Sequence, residues 1–275
     1  HVAIFAQMDQ ADSKLMALVF AATQLRAMGA ASVGLIVPYL PYMRHDIRFR
    51  SGEALSSQIV SEWLQSHFQW LLTVDPHLHR YHSLSELYSI PHYTLSASAA
   101  IADWIRQQDF DACLVGPDAE SMQWVQPLAE LIDAPFIVLN HDRQGARHVR
   151  VDFGAGTSAQ DHAQLFEQLK SGVLKPIVVD DILSTGMTIK QAAAHLASLD
   201  LPKPLCAVVH ALFCDHQEQH PPTGSNTVAE AARTLDGTVA AVVSTNSICH
   251  ETNAIDLVQC LSLGLRQAWF ESEQN

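Results

Sequence analysis

Two adjacent carboxylates, Asp180 and Asp181, stand between an apolar run and a segment of small residues. The apolar run at 176–179 predicts a buried strand, and apolar residues at helical spacing predict a helix at 189–199. Between them lie four residues that suit a phosphate group: Ser184, Thr185, Gly186 and Thr188. Their hydroxyls, a glycine free to take positive φ and the unpaired N–H groups that open a helix all favour a phosphate dianion. The two carboxylates would repel that dianion, so we expect them to face sugar hydroxyls or a metal ion.

Each part of this segment also has a purely structural explanation. Adjacent aspartates after a strand often cap a turn, and Ser-Thr-Gly is common loop chemistry. The combination is more specific, because it resembles the phosphoribosyl-diphosphate binding loop of phosphoribosyltransferases and ribose-phosphate diphosphokinases. That loop defines a class of ligand but leaves the reaction open.

The composition narrows the class of protein. A chain of 275 residues that is 48% hydrophobic suits one large α/β unit or two smaller domains. No apolar run approaches the ~20 residues of a membrane span, so no membrane association is expected. The formal charge of −13, from 29 acidic and 16 basic residues, argues against a nucleic-acid partner but allows small phosphorylated ligands.

Cysteine usage and the start of the chain give two further expectations. The odd set of cysteines lacks Cys-x-x-Cys pairing and so predicts neither a disulfide framework nor a zinc site: Cys113, Cys206, Cys214, Cys249 and Cys260. A reducing cytoplasmic location follows. Because the chain begins inside a predicted strand, an N-terminal piece is expected to be absent.

Strands and helices are predicted to alternate along the whole chain. The predicted strands are 2–6, 32–37, 70–74, 112–115, 135–140, 176–179, 204–212 and 238–244. The predicted helices are 14–28, 53–64, 95–106, 121–132, 189–199, 228–234 and 255–270. This order predicts an α/β fold with mostly parallel sheets flanked by helices. The stretches 144–158 and 216–226 are predicted to be loops.

Further polar clusters follow other predicted strands, where open α/β sheets assemble their sites. With the Asp180–Thr188 segment they resemble, in order, the motifs of ribose-phosphate diphosphokinases, nearest the archaeal-like type. The matching residues are Pro38 to Asp46 with Gly52, Glu53 and Ser56; Thr73 to His77; Pro117 and Asp118; and Asp180 to Thr188. This resemblance spans nearly all of the chain.

The resemblance implies a Mg²⁺-dependent enzyme that transfers diphosphate from ATP to the C1 hydroxyl of ribose 5-phosphate, giving phosphoribosyl diphosphate and AMP. It implies two phosphoribosyltransferase-like domains, 1–105 on the ATP side and 106–254 on the ribose 5-phosphate side. The closing helix at 255–275 is expected to pack back on the first domain. A homo-oligomer with active sites near subunit interfaces is also implied.

The resemblance assigns roles to individual residues. Ribose 5-phosphate is assigned to Asp180, Asp181, Ser184, Thr185, Gly186 and Thr188. ATP is assigned to Arg44, His45 and Asp46, and Mg²⁺ to His77 and Asp118. A histidine nitrogen is an unusual ligand for Mg²⁺, which prefers oxygen.

Three departures from the family pattern bear on activity. The family's catalytic loop opens with a lysine and has an arginine two positions later; here these positions hold His141 and Arg143. An unperturbed imidazole, with a pKa of about 6.5, is mostly uncharged at neutral pH, whereas lysine is charged. Loss of this charge predicts an enzyme that is weaker, or one that relies on Arg143, Arg147 and Arg150. The glutamine of the family's Arg-Gln-Asp is His45, and its Phe-x-Asp-Gly-Glu segment has no counterpart.

Three functions remain open at this stage. The leading hypothesis is a diphosphokinase in which Arg143 and His141 act at the transferring phosphates. The second is a weak or inactive relative that binds phosphoribosyl ligands and regulates a true synthetase, which the histidine at 141 favours. The third is a phosphoribosyltransferase, against which the ATP-side motif at 38–46 argues.

Overall fold

The computed structural model describes residues 1–48, 50–141, 149–153, 158–213 and 235–274. The chain divides into two compact units. Unit 1 contains residues 1–97, 247–249 and 256–275, and unit 2 contains residues 98–246 and 250–255. None of the helices in these described stretches is long and apolar enough to cross a bilayer.

The described elements follow one another as strands and helices along the chain. The strands are β1 (Val2–Phe5), β2 (Val33–Ile36), β3 (Trp70–Val74), β4 (His92–Leu95), β5 (Asp111–Gly116), β6 (Phe136–His141), β7 (Val149–Phe153), β8 (Leu174–Leu183), β9 (Leu205–Ala211), β10 (Ala241–Thr245) and β11 (Asn253–Ile255). The α-helices are α1 (Ala11–Ala27), α2 (Ser56–His67), α3 (Ser98–Arg106), α4 (Met122–Ile132), α5 (Ala159–Lys170), α6 (Met187–Ser198) and α7 (Val258–Gln274). Short 3₁₀ turns lie at Leu84–Glu86 and Ala119–Ser121.

Unit 1 is built on a four-stranded parallel sheet in the order β1-β2-β3-β4. Successive side chains of a strand point to opposite faces of the sheet, and β2 shows this alternation. Leu35 packs in the cluster that includes Leu18 of α1 and Leu64 of α2. Its neighbour Ile36 packs in a second cluster with Ala268 of α7. Helices therefore cover both faces of this sheet.

Unit 2 is built on a seven-stranded sheet in the order β11-β10-β9-β8-β5-β6-β7. Every pairing is parallel except that of β6 with the edge strand β7, which is antiparallel. The core of this unit joins the sheet to α5 and α6 through fully buried residues such as Val178, Leu169 and Ala192. Strands buried on both faces read as continuous apolar runs, as the residues before Asp180 do.

The strand order of unit 2 reverses between β5 and β8. After β5 the chain continues to β6 and β7 on one side, whereas after β8 it continues to β9, β10 and β11 on the other. Open α/β sheets bind ligands in the crevice at such a switch point, outside the carboxyl ends of the strands. Asp118 follows β5, and Asp180 and Asp181 lie near the end of β8.

The predicted α/β fold, with mostly parallel sheets flanked by helices, is confirmed. Several local predictions were wrong or incomplete. The stretch 144–158 was predicted to be a loop but contains β7, and β4, α5 and β11 were not predicted. The predicted helix 228–234 and the loop 216–226 lie outside the described residues.

The bounds around the phosphate segment also differ from the prediction. The strand predicted at 176–179 extends from Leu174 to Leu183, because ladder pairing with β9 continues through Ala211. Asp180 and Asp181 are therefore part of β8 instead of following it. The helix predicted at 189–199 begins at Met187, so Thr188 lies in its first turn. The connecting loop is thus only three residues long, Ser184 to Gly186.

Candidate functional site

The carboxylates of Asp180 and Asp181 are held by the backbone of a central strand. In β8, Asp180 is paired with Val208 of β9, and Oδ1 of Asp180 accepts a hydrogen bond from the N–H of Asp181 (3.0 Å). The Asp181 residue is only 4% exposed, and Asp180 is half-buried. Carboxylates at buried positions need a partner, such as a ligand hydroxyl or a cation, whereas carboxylates in a surface turn are solvated by water.

A third carboxylate of unit 2, that of Asp118, interacts electrostatically with Asp180. The pKa of Asp180 is raised well above its usual value by burial, then by the charge of Asp181 and then by that of Asp118. Burial also raises the pKa of Asp118, against the amide N–H groups of Ser121 and Glu120, which lower it. Like charges held close together favour the protonated form until a cation or hydrogen-bond donors compensate them.

The loop after β8 presents an open helix start. Gly186 is the N-cap of α6, and no side chain among the described residues caps this helix. The first intrahelical bond runs from the N–H of Lys190 to the carbonyl oxygen of Gly186 (2.8 Å). The N–H of Met187, the first helical residue, donates a hydrogen bond to Oγ1 of Thr185 (3.4 Å). The N–H groups that follow it, together with the positive end of the helix dipole, suit an anion.

The four phosphate-segment residues differ in exposure. Ser184 and Gly186 are buried, Thr185 is half-buried and Thr188 is exposed. Gly186 has φ +75°, a conformation that favours glycine, and an added Cβ would lie 3.1 Å from Cγ of Leu235. The tight turn that presents the helix start therefore requires glycine at this position.

Asp118 already has a structural role. Its Oδ1 accepts hydrogen bonds from the N–H groups of Glu120 (3.1 Å) and Ser121 (3.0 Å), and it forms a capping box with Ser121. A cap of this kind orients the carboxylate at the end of β5. Any cation at Asp118 therefore meets a carboxylate whose direction is fixed by the backbone.

The predicted ATP residues of unit 1 do not share one environment. Arg44 and His45 are exposed, whereas the side chain of Asp46 is only 6% exposed. Asp46 Oδ1 lies 3.5 Å from Nε of Arg80, and Oδ2 lies 3.8 Å from Nδ1 of His79. The buried Oδ2 accepts no hydrogen bond in the described part of the chain. Asp46 is therefore loosely paired and retains acceptor capacity.

Arg80 and His79 were missed by the sequence reasoning. Nothing in their local spacing predicts a contact with Asp46, which lies 34 positions before Arg80 in the chain. The available signal was that a histidine and an arginine follow the Thr73–His77 motif after one intervening leucine.

The loop that carries Arg44 to Asp46 is fastened to the end of β3. Oγ1 of the fully buried Thr73 donates a hydrogen bond to the carbonyl oxygen of Pro38 (3.2 Å), and the N–H of Val74 donates to the same oxygen (3.1 Å). Further along the loop, Tyr42 has φ +63°, an unusual value for a bulky residue. Two predicted motifs, 38–46 and 73–77, are thus joined by hydrogen bonds.

The two residues predicted to bind Mg²⁺ belong to different units. His77 lies in unit 1, half-buried, with its ring centroid 6.1 Å from that of His79. Asp118 lies in unit 2. No group of three or more His, Cys, Asp or Glu side chains with metal-binding geometry occurs among the residues that the structure describes.

The predicted catalytic residues are only partly within the described structure. His141 is the last residue of β6, where its backbone pairs with Val149 of β7. Arg143 and Arg147 lie outside the described residues, and Arg150 belongs to β7. The strand pair β6–β7 therefore frames the predicted catalytic loop.

Comparison with protein families matches both parts of the chain. Residues 1–67 match the N-terminal domain of ribose phosphate pyrophosphokinase, and residues 83–228 match the phosphoribosyl transferase domain.

Individual proteins that are similar to this chain carry names that agree with these two family matches. The ribose-phosphate pyrophosphokinase of Methanobrevibacter smithii is 26% identical over 257 residues, covering 93% of this chain and 80% of that protein. That of Thermoplasma acidophilum is 30% identical over 208 residues, covering 75% of this chain and 66% of that protein. The crystal structure of phosphoribosylpyrophosphate synthetase from Mycobacterium smegmatis has a TM-score of 0.69 at 19% identity, covering 94% of this chain and 78% of that chain. At that identity the likeness concerns the fold.

Proposed function

The chain belongs to the ribose-phosphate pyrophosphokinase family, and we propose that it transfers the diphosphate group of ATP to ribose 5-phosphate. The C1 hydroxyl of the sugar attacks the β-phosphorus, and the bond from that phosphorus to the oxygen shared with the α-phosphate breaks. The hydroxyl proton is released, and the products are phosphoribosyl diphosphate and AMP.

The carboxyl edge of unit 2 supports binding of the acceptor sugar. The open start of α6 after Gly186 suits the 5-phosphate, and the hydroxyls of Ser184, Thr185 and Thr188 add donors. Asp180 and Asp181 suit the vicinal hydroxyls of the ribose, which donate hydrogen bonds to carboxylates. This combination of an uncapped helix start and buried carboxylates is the observation that carries the proposal.

Unit 1 supports binding of the nucleotide. Arg44 and His45 are exposed donors next to the buried Asp46, whose Oδ2 has no hydrogen bond from the described residues. A hydroxyl or amino group of the nucleotide would satisfy that acceptor. The exposed guanidinium of Arg44 suits a phosphate, since planar guanidinium groups bind phosphate oxygens in pairs.

Magnesium is assigned to one carboxylate of unit 2 and one imidazole of unit 1. The pKa of Asp180 is raised first by burial and then by the charges of Asp181 and Asp118, and Mg²⁺ prefers oxygen ligands such as these carboxylates. We assign a Mg²⁺ contact to Asp118 in unit 2 and another to His77 in unit 1. When bound, the ion neutralises charge on the transferring diphosphate group.

The chemical step requires positioning and positive charge more than covalent help. We assign that charge to Arg143, with His141 as a hydrogen-bond donor in place of the family's lysine. A neutral imidazole stabilises a phosphate oxygen less than an ammonium does, so the reaction is expected to be slower than in a lysine-containing relative.

The direct test measures both products from the full-length protein with Mg²⁺, ATP and ribose 5-phosphate. AMP and phosphoribosyl diphosphate should form in equal amounts, and omission of ribose 5-phosphate should abolish AMP formation. Asp181→Asn is the matched variant. It should raise the KM for ribose 5-phosphate by about tenfold or more, since a hydrogen bond to a charged group is lost. If the wild-type protein forms no AMP above background, the proposal is wrong.

A second function is favoured by the histidine at position 141. A protein that keeps the sugar site but lacks the catalytic ammonium would bind phosphoribosyl ligands and regulate an active synthetase. His141→Lys separates the two cases. A rise from no turnover to measurable turnover would support the regulatory function, whereas wild-type turnover with little change in the variant would support the enzyme.

A further inference from the structure

Asp75 is a motif residue to which the proposed function gives no role. It lies between β3 and His77, and its backbone has φ +34°, which is rare for a residue other than glycine. Because Pro76 follows, the backbone of Asp75 is restricted further. A conformation of this kind persists only where the surroundings hold it, and such residues cluster at functional sites.

Two hydrogen bonds hold this conformation. The N–H of Asp75 donates to the carbonyl oxygen of Leu95 (2.9 Å), and Oδ2 of Asp75 accepts from the N–H of Ala97 (2.7 Å). Both partners lie at or just after the end of β4, the strand that pairs with β3. The main chain and the side chain of one residue therefore fasten the end of β3 to the segment that follows β4.

Helix α7 reaches the segment after β4 beside this turn in unit 1. Cys260 of α7 donates from Sγ to the carbonyl oxygen of Ser96 (3.5 Å), next to Ala97. The pKa of the Cys260 thiol is raised, chiefly by burial and then by the charge of Asp75. The half-buried Asp75 thus lies beside the β4–α3 connection and α7, and the short hydrogen bond from Ala97 gives its Oδ2 a structural partner.

His77 is the residue that this turn carries. Pro76 is buried and has a fixed φ, so the direction of the chain at Asp75 largely sets where His77 is placed. We propose that Asp75 is a positioning residue, whose hydrogen bond with Ala97 holds the turn that places His77 for the Mg²⁺-bound nucleotide. This inference rests on the proposed function, in which His77 contacts that metal.

Three substitutions in the full-length protein separate the possible roles of Asp75. Asp75→Asn keeps a hydrogen-bond acceptor and tolerates positive φ, so it should retain wild-type behaviour within about threefold. Asp75→Gly permits the backbone conformation but removes the acceptor. Asp75→Ala removes the acceptor and opposes the conformation. Both should weaken Mg²⁺–ATP binding by about tenfold, because the N–H of Ala97 loses its acceptor and the turn is no longer held.

The measurements are the affinity for Mg²⁺–ATP by calorimetry, the KM values for both substrates, and the imidazole NMR signals of His77 in the ligand-free protein. The KM for ribose 5-phosphate should be unchanged, and the His77 signals should shift in the Gly and Ala variants but not in Asn. The matched control is Asp133→Ala, since Asp133 is an exposed aspartate with φ +51° in unit 2. It should change thermal stability alone.

The outcomes are distinguishable. If the Asn variant is as impaired as Ala, the charge acts directly on the metal or nucleotide, and the positioning role is wrong. If the Gly variant matches the wild type, the hydrogen bond with Ala97 is dispensable, and the inference also fails. A wild-type protein that binds Mg²⁺–ATP but makes no AMP would refute the proposed reaction while the binding data still decide on Asp75. A wild type that does not bind Mg²⁺–ATP would refute both.

Discussion

Among single residues, the ionised Asp180 carboxylate is expected to destabilise the folded, ligand-free protein. A carboxyl group with a raised pKa keeps its proton in the folded state over a pH range in which the unfolded chain has released it. Its contribution is therefore most favourable below the unfolded value of 3.8 and is lost as pH rises through the folded pKa. Ligands that compensate its charge remove this penalty.

A comparison of the wild type with Asp180→Asn tests this effect. As pH rises above about 4, the variant should gain stability relative to the wild type, with a slope of at most about 1.4 kcal/mol per pH unit. Mg²⁺ should reduce the difference by stabilising the ionised wild-type carboxylate. Thermal unfolding at several pH values measures both effects. A stability difference that stays constant from pH 4 to pH 8 would contradict the raised pKa.

The pairing of Asp46 leads to a second prediction. Arg80→Ala leaves a carboxylate that is 6% exposed with His79 as its remaining ion-pair partner among the described residues, so it should destabilise the protein by about 1–3 kcal/mol. Chemical denaturation measures the loss. The matched control is Asp103→Ala, which breaks an exposed pair with Arg106 (2.9 Å) and should cost less than about 1 kcal/mol. Equal effects in the two variants would mean that the burial of Asp46 has no energetic consequence.

Among the secondary-structure elements, the short loop between β8 and α6 depends on one glycine. Gly186→Ala places a Cβ in the left-handed region and close to Leu235, so it should lower the free energy of unfolding by about 1–2 kcal/mol and weaken ribose 5-phosphate binding. Gly172→Ala is the control, because Gly172 has φ +76° with open space around it. It should lower stability by a similar amount and leave sugar-phosphate binding unchanged, as measured by calorimetry. A Gly186→Ala variant with wild-type sugar binding would show that the turn does not shape the phosphate site.

Elements with a strong apolar signal could be predicted from the sequence, whereas edge elements could not. The strand at 70–74 was predicted with the bounds that β3 has, because four of its five residues are apolar and the fifth, Thr73, is β-branched. β7 was missed although Val149, Val151 and Phe153 alternate with polar residues, since flanking glycines suggested a loop. β8 was predicted too short, because the two aspartates that extend it belong to residue types that strands usually exclude.

Predictability of the candidate site follows the same division. The phosphate segment lies within nine consecutive residues, so its grouping was visible in the sequence. The contact of Asp46 with Arg80 and the hydrogen bond from Thr73 to Pro38 depend on how separate segments meet. Such contacts are fixed by tertiary packing and leave no local pattern.

For the whole molecule, each unit offers its own set of ligand contacts within a strongly acidic chain. With a net charge of −13, general electrostatic attraction does not explain the proposed binding of two anionic substrates. Local features must overcome that charge: the helix start of α6 in unit 2 and the arginines of unit 1. The two substrates should therefore act on separate parts of the chain.

Hydrogen exchange tests this separation. Ribose 5-phosphate should slow amide exchange at the end of β8 and the start of α6 in unit 2, because bound ligand opposes local opening. ATP with Mg²⁺ should slow exchange in residues 38–48 of unit 1. Inorganic sulfate, which lacks the sugar, is the control for phosphate binding alone. Protection by ribose 5-phosphate that is confined to unit 1 would contradict the assignment.

The reversal of strand order between β5 and β8 has a consequence for how the function of this fold can change during evolution. The opening there arises from connectivity, because the chains leaving these two strands run to opposite sides of the sheet. Substitution of Asp180 or Asp118 removes chemistry but leaves the opening itself in place. A relative that has lost catalysis would therefore keep the crevice at this switch point. Changes to a few side chains there could then produce a site for a different ligand while the fold stays the same.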